Sequence, residues 1–272
     1  LYGRKLSEKY VELESDRKEG SCFVFHRVPC IPFPQALRIL SFAYFSSHMI
    51  KQQYFDLTLG FGRTFGHDLH RDSNGCFQPF KEAVGSRLNR SVLYSAVVLH
   101  LEKKLYTSSD LLHTYCVSSF VREQIISRYP IRQERISVLY NGVDKELFNP
   151  ERRLSERKSV RASLGVGEET PVVLFVGNDW RRKGLSTLLQ AICTSPEWEL
   201  WVVGHDRKGK EFLHLADKLS LRDRVRFLGK LPSAPYFAAA DVFVLPSLFD
   251  PLSNVALEAM ACGLPVVVSP KD

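Results

Sequence analysis

From residue 172 onward, short apolar runs alternate with amphipathic stretches along the chain. The runs 172–176 (VVLFV), 199–203 (ELWVV), 225–228 (VRFL), 242–245 (VFVL) and 265–268 (PVVV) are bounded by turn residues. Continuous hydrophobicity over so few residues predicts strands buried on both faces, as in a parallel sheet. The stretches 185–192, 212–219, 234–240 and 254–261 between them carry helical spacing. This alternation predicts an α/β fold with helices on both faces of the sheet. Right-handed crossovers then bring the loops that follow the strands to one edge, where ligands bind.

The first half is less regular. Residues 4–13 have helical spacing, and 22–28 (CFVFHRV) read as a strand. Pro29, Pro32 and Pro34 punctuate the chain before an amphipathic helix over 35–54. A short strand over 55–61 runs into Gly60-Phe61-Gly62, and 66–70 (GHDLH) read as a loop. A long helix over 86–106 with Ser86 as N-cap follows, then a strand over 112–118. Ser118 caps a further helix ending near Tyr129, and 136–139 form a strand. The turn signal Asn141-Gly142-Val143-Asp144 and the polar stretch 149–161, read as a linker with a helix, mark a junction. Two domains are expected, 1–145 and 146–272, the second binding the ligand.

Composition narrows the field. The chain has 272 residues, 44% of them hydrophobic and 25% charged, which excludes a disordered chain. Its net charge is +7, and residues 1–150 carry 20 cationic against 15 acidic side chains. Such a surplus suits phosphate-bearing ligands or an anionic membrane surface. No basic stripe with interleaved aromatics is present, so no nucleic-acid partner is expected. Six scattered cysteines show no zinc spacing and imply reduced thiols in a cytoplasmic protein. The apolar stretch 39–50 is too short and too interrupted by Ser41, Ser46, Ser47 and His48 to span a bilayer.

Chemistry concentrates in the loops of the second half. Gly177 through Gly184 (GNDWRRKG) opens a helix, and Arg182 and Lys183 place cations beside its N-terminus, a natural seat for a diphosphate. A solvated basic turn would read the same way. Gly229 begins a loop, Gly-Lys-Leu-Pro, able to hold a base through its backbone. Asp250 and Glu258 flank Ser253 and Asn254, and a helix starting at Asn254 turns both carboxylates toward one edge. Carboxylates are suited to sugar diols. Either acid alone would also serve as a dipole-complementing residue at a helix start.

The whole pattern Pro246-Ser247, Asp250-Pro251, Leu257-Glu258-Ala259-Met260-Ala261, Gly263 and Pro265-Val266-Val267 resembles the signature of family 4 retaining glycosyltransferases of the GT-B fold. Residues 137–144 (SVLYNGVD) with Phe148 and Pro150, Val176-Gly177 with Arg182-Lys183-Gly184, and Ala239-Ala240-Asp241-Val242 are similar to further segments of that family. In the first half, Gly60-Phe61-Gly62-Arg63, Gly66-His67-Asp68 and Leu101-Glu102-Lys103-Lys104 resemble its lipopolysaccharide-core glucosyltransferase branch. Two positions depart from the family: Asp250 stands where Glu usually opens the signature, and Asn178 where many members carry Arg.

The resemblance implies two Rossmann-like domains facing a cleft, incomplete here at both ends: only Tyr2-Gly3 resembles the family's opening glycine loop, and no closing helix follows Asp272. It implies transfer of a hexose, with UDP-glucose the first guess, to a glycan or lipid-linked acceptor such as lipopolysaccharide core. Arg182 and Lys183 would neutralise the leaving diphosphate, Asp250 would contact the donor sugar, and Glu258 the ribose. Gly177, Gly229, Ser253 and Asn254 would line the donor site, and Asp68 would touch sugar or acceptor unless it merely caps a loop. No metal or other cofactor is expected, since no acidic metal-binding pair stands out. The helices 35–54 and 86–106 carry Arg38, Lys51, Arg87, Arg90, Lys103 and Lys104 beside aromatic residues; burial explains the aromatics, or else peripheral contact with the inner face of a membrane. Two rival readings remain: a nucleotide-sugar epimerase of GT-B shape, and a GT-B domain that binds nucleotide or partner without transfer.

Overall fold

A computed structural model describes residues 2–3, 25–85 and 91–270. The chain divides into two compact units, Leu1–Tyr140 and Asn141–Asp272. The helix expected over 4–13, its neighbouring residues up to 24, and Ser86 lie outside the described residues.

Among its described residues, unit 1 holds two parallel sheets. One pairs β1 (Tyr2–Gly3) with β2 (His26–Arg27). The other has four strands in the order β3 (Leu59–Phe61), β4 (Leu69–Asp72), β5 (His113–Cys116), β6 (Ile136–Val138). Among the described residues, the α-helices that join the strands are α1 (Gln35–Lys51), α2 (Phe77–Val84), α3 (Val92–Tyr106) and α4 (Ser119–Arg128). Ser118 caps α4 by accepting from the Val121 amide, as expected. Ser91 caps α3 by accepting from the Tyr94 amide, so the cap expected at Ser86 lies five residues further on.

Two elements of unit 1 depart from expectation. Residues 69–72 are a strand, not a loop, because His70 and Asp72 turn inward and are buried in a polar network instead of an apolar core. Helix α2 carries Pro79 in its first turn, where a missing N–H is tolerated, and Cys76 without a side-chain cap precedes it. Neither residue marks a helix start in a sequence.

Unit 2 is a five-stranded parallel sheet in the order β11 (Val266–Val268), β10 (Val242–Leu245), β7 (Val172–Val176), β8 (Glu199–Val203), β9 (Val225–Gly229). Its helices are α5 (Glu151–Ser163), α6 (Leu185–Cys193), α7 (Gly209–Lys218), α8 (Ala234–Ala239) and α9 (Asn254–Ala261). The apolar runs became the central strands: every residue of β7 is buried, and Leu200, Trp201 and Val202 of β8 have no exposed surface. The chain passes from β7 to β8 on one side and later to β10 on the other. The loops after β7 and β10 therefore flank the switch point of the sheet, where a crevice opens in such folds.

The polar stretch 149–161 holds the expected helix, and that helix packs into unit 2 instead of linking. Arg153, Arg157 and Arg161 recur at helical spacing on one face of α5 and reach the end of α8. Arg161 is fully buried, its Nη1 donating to the Ala239 carbonyl at 2.7 Å and its Nε to the Gly167 carbonyl at 3.1 Å. Asp241 accepts from Arg157 at 2.8 Å and from the Val172 amide at 2.9 Å, and pairs with Arg161 at 3.5 Å. Burial pushes the Asp241 carboxyl up, but the Val172 amide and Arg157 pull it below the usual carboxylate range. Replacing Asp241 by Ala leaves a buried guanidinium without its counter-charge, which costs about 3–5 kcal/mol. Urea denaturation should show that loss, and a change below about 1 kcal/mol would mean that the backbone carbonyls hold Arg161 unaided.

Candidate functional site

The loop after β7 is built on one buried aromatic. Trp180 is 5% exposed, lies 5.6 Å from Phe212 and 5.5 Å from Phe227, and donates its indole N–H to the Gly177 carbonyl at 2.8 Å. Its backbone amide donates to Asp206 at 2.7 Å, and Asn178 accepts from the His205 amide at 2.9 Å. The loops after β7 and β8 are thus stitched together. Sequence reasoning missed Trp180 and Asp206 as loop anchors; a Trp inside an otherwise polar turn is the signal that could have found them.

Glycine is required where this loop meets the next one. Gly184 has φ 78°, and a Cβ there would lie 1.8 Å from the Pro246 carbonyl oxygen. Helix α6 consequently starts against the backbone that leaves β10. The Leu248 amide donates to the Arg182 carbonyl at 2.8 Å, which locks the two loops together at the switch point.

The cations expected here are held by acids and carbonyls of those same loops. Arg182 pairs with Asp179 at 2.9 Å and donates to the Phe249 carbonyl at 3.0 Å. Lys183 forms an ion pair with Asp250, the two side chains only 12% and 10% exposed. Asp250, assigned to the donor sugar by resemblance, therefore lies directly against the cation assigned to the diphosphate. Two hydroxyls of the loop after β10, Ser247 Oγ and Ser253 Oγ, are buried with no partner among the described residues. Unsatisfied buried hydroxyls are uncommon and suit a site that receives a polar ligand.

Glu258 lies one turn into α9, half-buried. No side chain or backbone group among the described residues is recorded as its carboxylate's partner, and burial raises its pKa. Asn254 is exposed, and its Oδ1 accepts from Asn141 at 2.7 Å, which ties the start of α9 to the segment after β6. Gly177 follows β7, and its amide donates to the Val203 carbonyl at 2.9 Å. Gly229 ends β9 at φ 76° with open space where a Cβ would stand. Gly204 donates to the Gly229 carbonyl at 2.8 Å, so the chain ends of β7, β8 and β9 form one continuous glycine-bearing rim.

Asp68 is placed elsewhere and requires correction. It precedes β4, and because β3 and β4 are parallel, residue 68 lies at the N-terminal edge of its sheet. There it accepts from the Thr58 amide at 2.7 Å and the Thr58 hydroxyl at 2.6 Å. The Thr58 hydroxyl leads the interactions that hold its carboxyl below the usual range. Asp68 braces the entry to two strands and is not at the loop edge that binds ligands. His67 and His70 stack 5.3 Å apart, His67 filling the space beneath Gly60, where a Cβ would lie 2.3 Å from its ring. Burial lowers the His67 pKa to about 4. Among the described residues, no group of three His, Cys, Asp or Glu side chains is arranged to hold a metal ion.

Comparisons with known proteins bear on the family and the fold. Residues 170–272 match the family model described as Glycosyl transferases group 1, and residues 75–147 match that described as Glycosyltransferase Family 4. The lipopolysaccharide core biosynthesis glycosyltransferase LpsE of Rhizobium meliloti is 43% identical over 109 residues, covering 39% of this chain and 32% of that protein. The lipopolysaccharide glucosyltransferase WaaG of Escherichia coli is 25% identical over 276 residues, covering 96% of this chain and 72% of that protein. A crystal structure of WaaG, a glycosyltransferase involved in lipopolysaccharide biosynthesis, superposes with a TM-score of 0.77 at 23% identity, covering 93% of this chain and 70% of that one. That likeness shows the GT-B fold. The chain spans less than half the length of several curated relatives it matches, LpsE among them.

Proposed function

We propose that this chain, which carries a group 1 and a family 4 glycosyltransferase region on a GT-B fold, binds a nucleotide-diphosphate sugar at the switch point of unit 2 and transfers its hexose with retention. The observation that carries the reading is the convergence there of Lys183, Arg182, the buried free hydroxyls of Ser247 and Ser253, and the unpartnered Glu258 carboxylate. The diphosphate takes Lys183 and Arg182 at the start of α6, the ribose diol takes Glu258, and the hexose lies toward Asp250. Negative charge grows on the leaving phosphate as the glycosidic bond breaks, and fixed cations stabilise it without reorganising. Glycine at positions 177 and 229 lets the backbone approach the nucleotide. Kinship with lipopolysaccharide glycosyltransferases supports a glycan acceptor, and UDP-glucose is the donor this reading expects. A thermal-shift screen against UDP, GDP, ADP and their hexose conjugates tests this. One base should stabilise the protein by about 2.7 kcal/mol at a hundred times its Kd. Stabilisation by none of them would sink the reading.

The acceptor side of the proposal includes a membrane surface. No helix among the described residues is long and apolar enough to cross a bilayer. Yet α1 and α3 enclose an open groove of about 580 Å³ lined by Ile31, Leu37, Leu40, Tyr44, Ala96 and Val97. Val92 is 87% and Leu93 54% exposed nearby in sequence, and Lys104 stands over the rings of Tyr44 and Phe65 at 4.2 and 4.1 Å. An apolar face with a cation beside it suits peripheral contact with anionic lipid. Liposomes containing anionic lipid should carry the protein upward in a flotation gradient at low salt and release it at high salt. Flotation that ignores both lipid charge and salt would contradict this.

A further inference from the structure

The strongest feature outside the donor site is a polar cluster at the C-terminal edge of the unit 1 sheet. Arg63 follows β3, and Asn74 lies in the turn after β4, so both stand at the edge where the loops of a parallel sheet take ligands. Beneath them Glu102, on α3, is almost completely buried. It accepts from Arg63 Nε at 3.1 Å, from the Phe77 amide at 2.8 Å and from the Tyr129 hydroxyl at 2.9 Å. Asp72 accepts from the amides of Asn74 and Gly75 at 2.9 and 2.8 Å and from the Tyr106 hydroxyl.

Counting valences shows what this cluster lacks. Every carboxylate oxygen of Glu102 and Asp72 already has a donor. The unfilled valences at the surface are donors: both Nη groups of Arg63 and the side-chain amide of Asn74 have no recorded partner among the described residues. Arg63 is fixed by Glu102 through Nε, lies 5.7 Å from the Phe77 ring, is 26% exposed, and lines one small cavity with Asn74. Gly62 beside it leaves open space where a Cβ would stand. A rigid fork of donors with an amide at its side matches the paired oxygens of a phosphate or carboxylate.

We propose that Arg63, oriented by Glu102 and flanked by Asn74, binds an anionic substituent on the acceptor sugar, so that the enzyme selects phosphorylated or carboxylated acceptors. Calling the ligand an acceptor rests on the glycosyltransferase reading; the anion site itself does not.

Titration calorimetry with glucose 6-phosphate, glucuronate and unsubstituted glucose tests it on the wild type, R63Q, R63K and K183Q. At least one charged sugar should bind the wild type at least tenfold more tightly than glucose. That preference should collapse in R63Q and persist in K183Q. R63K keeps the ion pair with Glu102 and loses the fork, so it should lose most of the preference, and it decides the matter if R63Q does not fold. No preference in the wild type overturns the proposal. So does a preference lost in K183Q but kept in R63Q, which would place the anion among the donor-site cations, or one fully kept in R63K. If nucleotides fail to bind while the Arg63-dependent preference stands, the transferase reading falls and the anion site remains.

Discussion

Replacing Glu258 by Gln should abolish nucleotide-dependent stabilisation while leaving the protein folded. A carboxylate spanning a ribose diol makes two charge-assisted hydrogen bonds, each worth about 1.5–3 kcal/mol. Losing that charge should weaken binding by roughly a hundredfold or more. The structure adds a second, opposite expectation. Glu258 has no recorded partner among the described residues, and burial raises its pKa. At neutral pH its ionised form is therefore a burden on the fold, because the folded pKa lies above the unfolded one. E258Q should melt at or above the wild-type temperature without nucleotide, and gain nothing when nucleotide is added. A drop in melting temperature would instead give Glu258 a structural role. The same shift sets the pH dependence. The ribose needs the carboxylate, so binding should weaken as pH falls, beginning above the usual carboxylate range. Fluorescence titration of nucleotide between neutral and mildly acidic pH would show the midpoint, and a midpoint at or below the ordinary value would count against this site.

Unit 2 was legible because its chemistry and its packing follow different residues. The strands β7 and β10 are apolar throughout, and β8 is apolar after Glu199, so their boundaries could be read directly. The proposed donor site lies in the loops after them, which a parallel topology places together. Unit 1 is harder because it builds part of its interior from polar groups. His70, Asp72, Thr114 and Glu102 are all buried, and a strand that reads Leu-His-Arg-Asp carries no apolar pattern. Asp68 was misplaced for the same reason: without β4, nothing in the sequence says that the chain has already returned to the opposite edge of the sheet. Residues 149–161 misled in a third way. Their arginines look like solvated charge, yet they satisfy the last carbonyls of α8 from across the unit, a contact over about 80 positions in the chain.

The Lys183–Asp250 pair was also beyond reach of the sequence, since the two residues are 67 positions apart and each had been assigned to a different part of the ligand. Their contact makes a sharper prediction than either role alone. Lys183→Ala removes a fixed cation from beside the leaving phosphate, and turnover should fall about 10²–10³-fold. It also strands the Asp250 carboxylate in a largely buried place, which costs about 3–5 kcal/mol of stability. The double variant K183A/D250N takes away the stranded charge, so it should recover much of that stability but none of the turnover. Stability and catalysis thereby separate within one pair of residues. Should the double variant regain activity along with stability, Lys183 serves only to neutralise Asp250, and the diphosphate is held by Arg182 and the N-terminus of α6. Should wild-type protein bind nucleotide through Lys183 and yet transfer no hexose to water or to any glycan offered, the retracted Asp250 marks a domain that binds without transferring. The pair would then be a lock on the fold rather than part of a catalytic site.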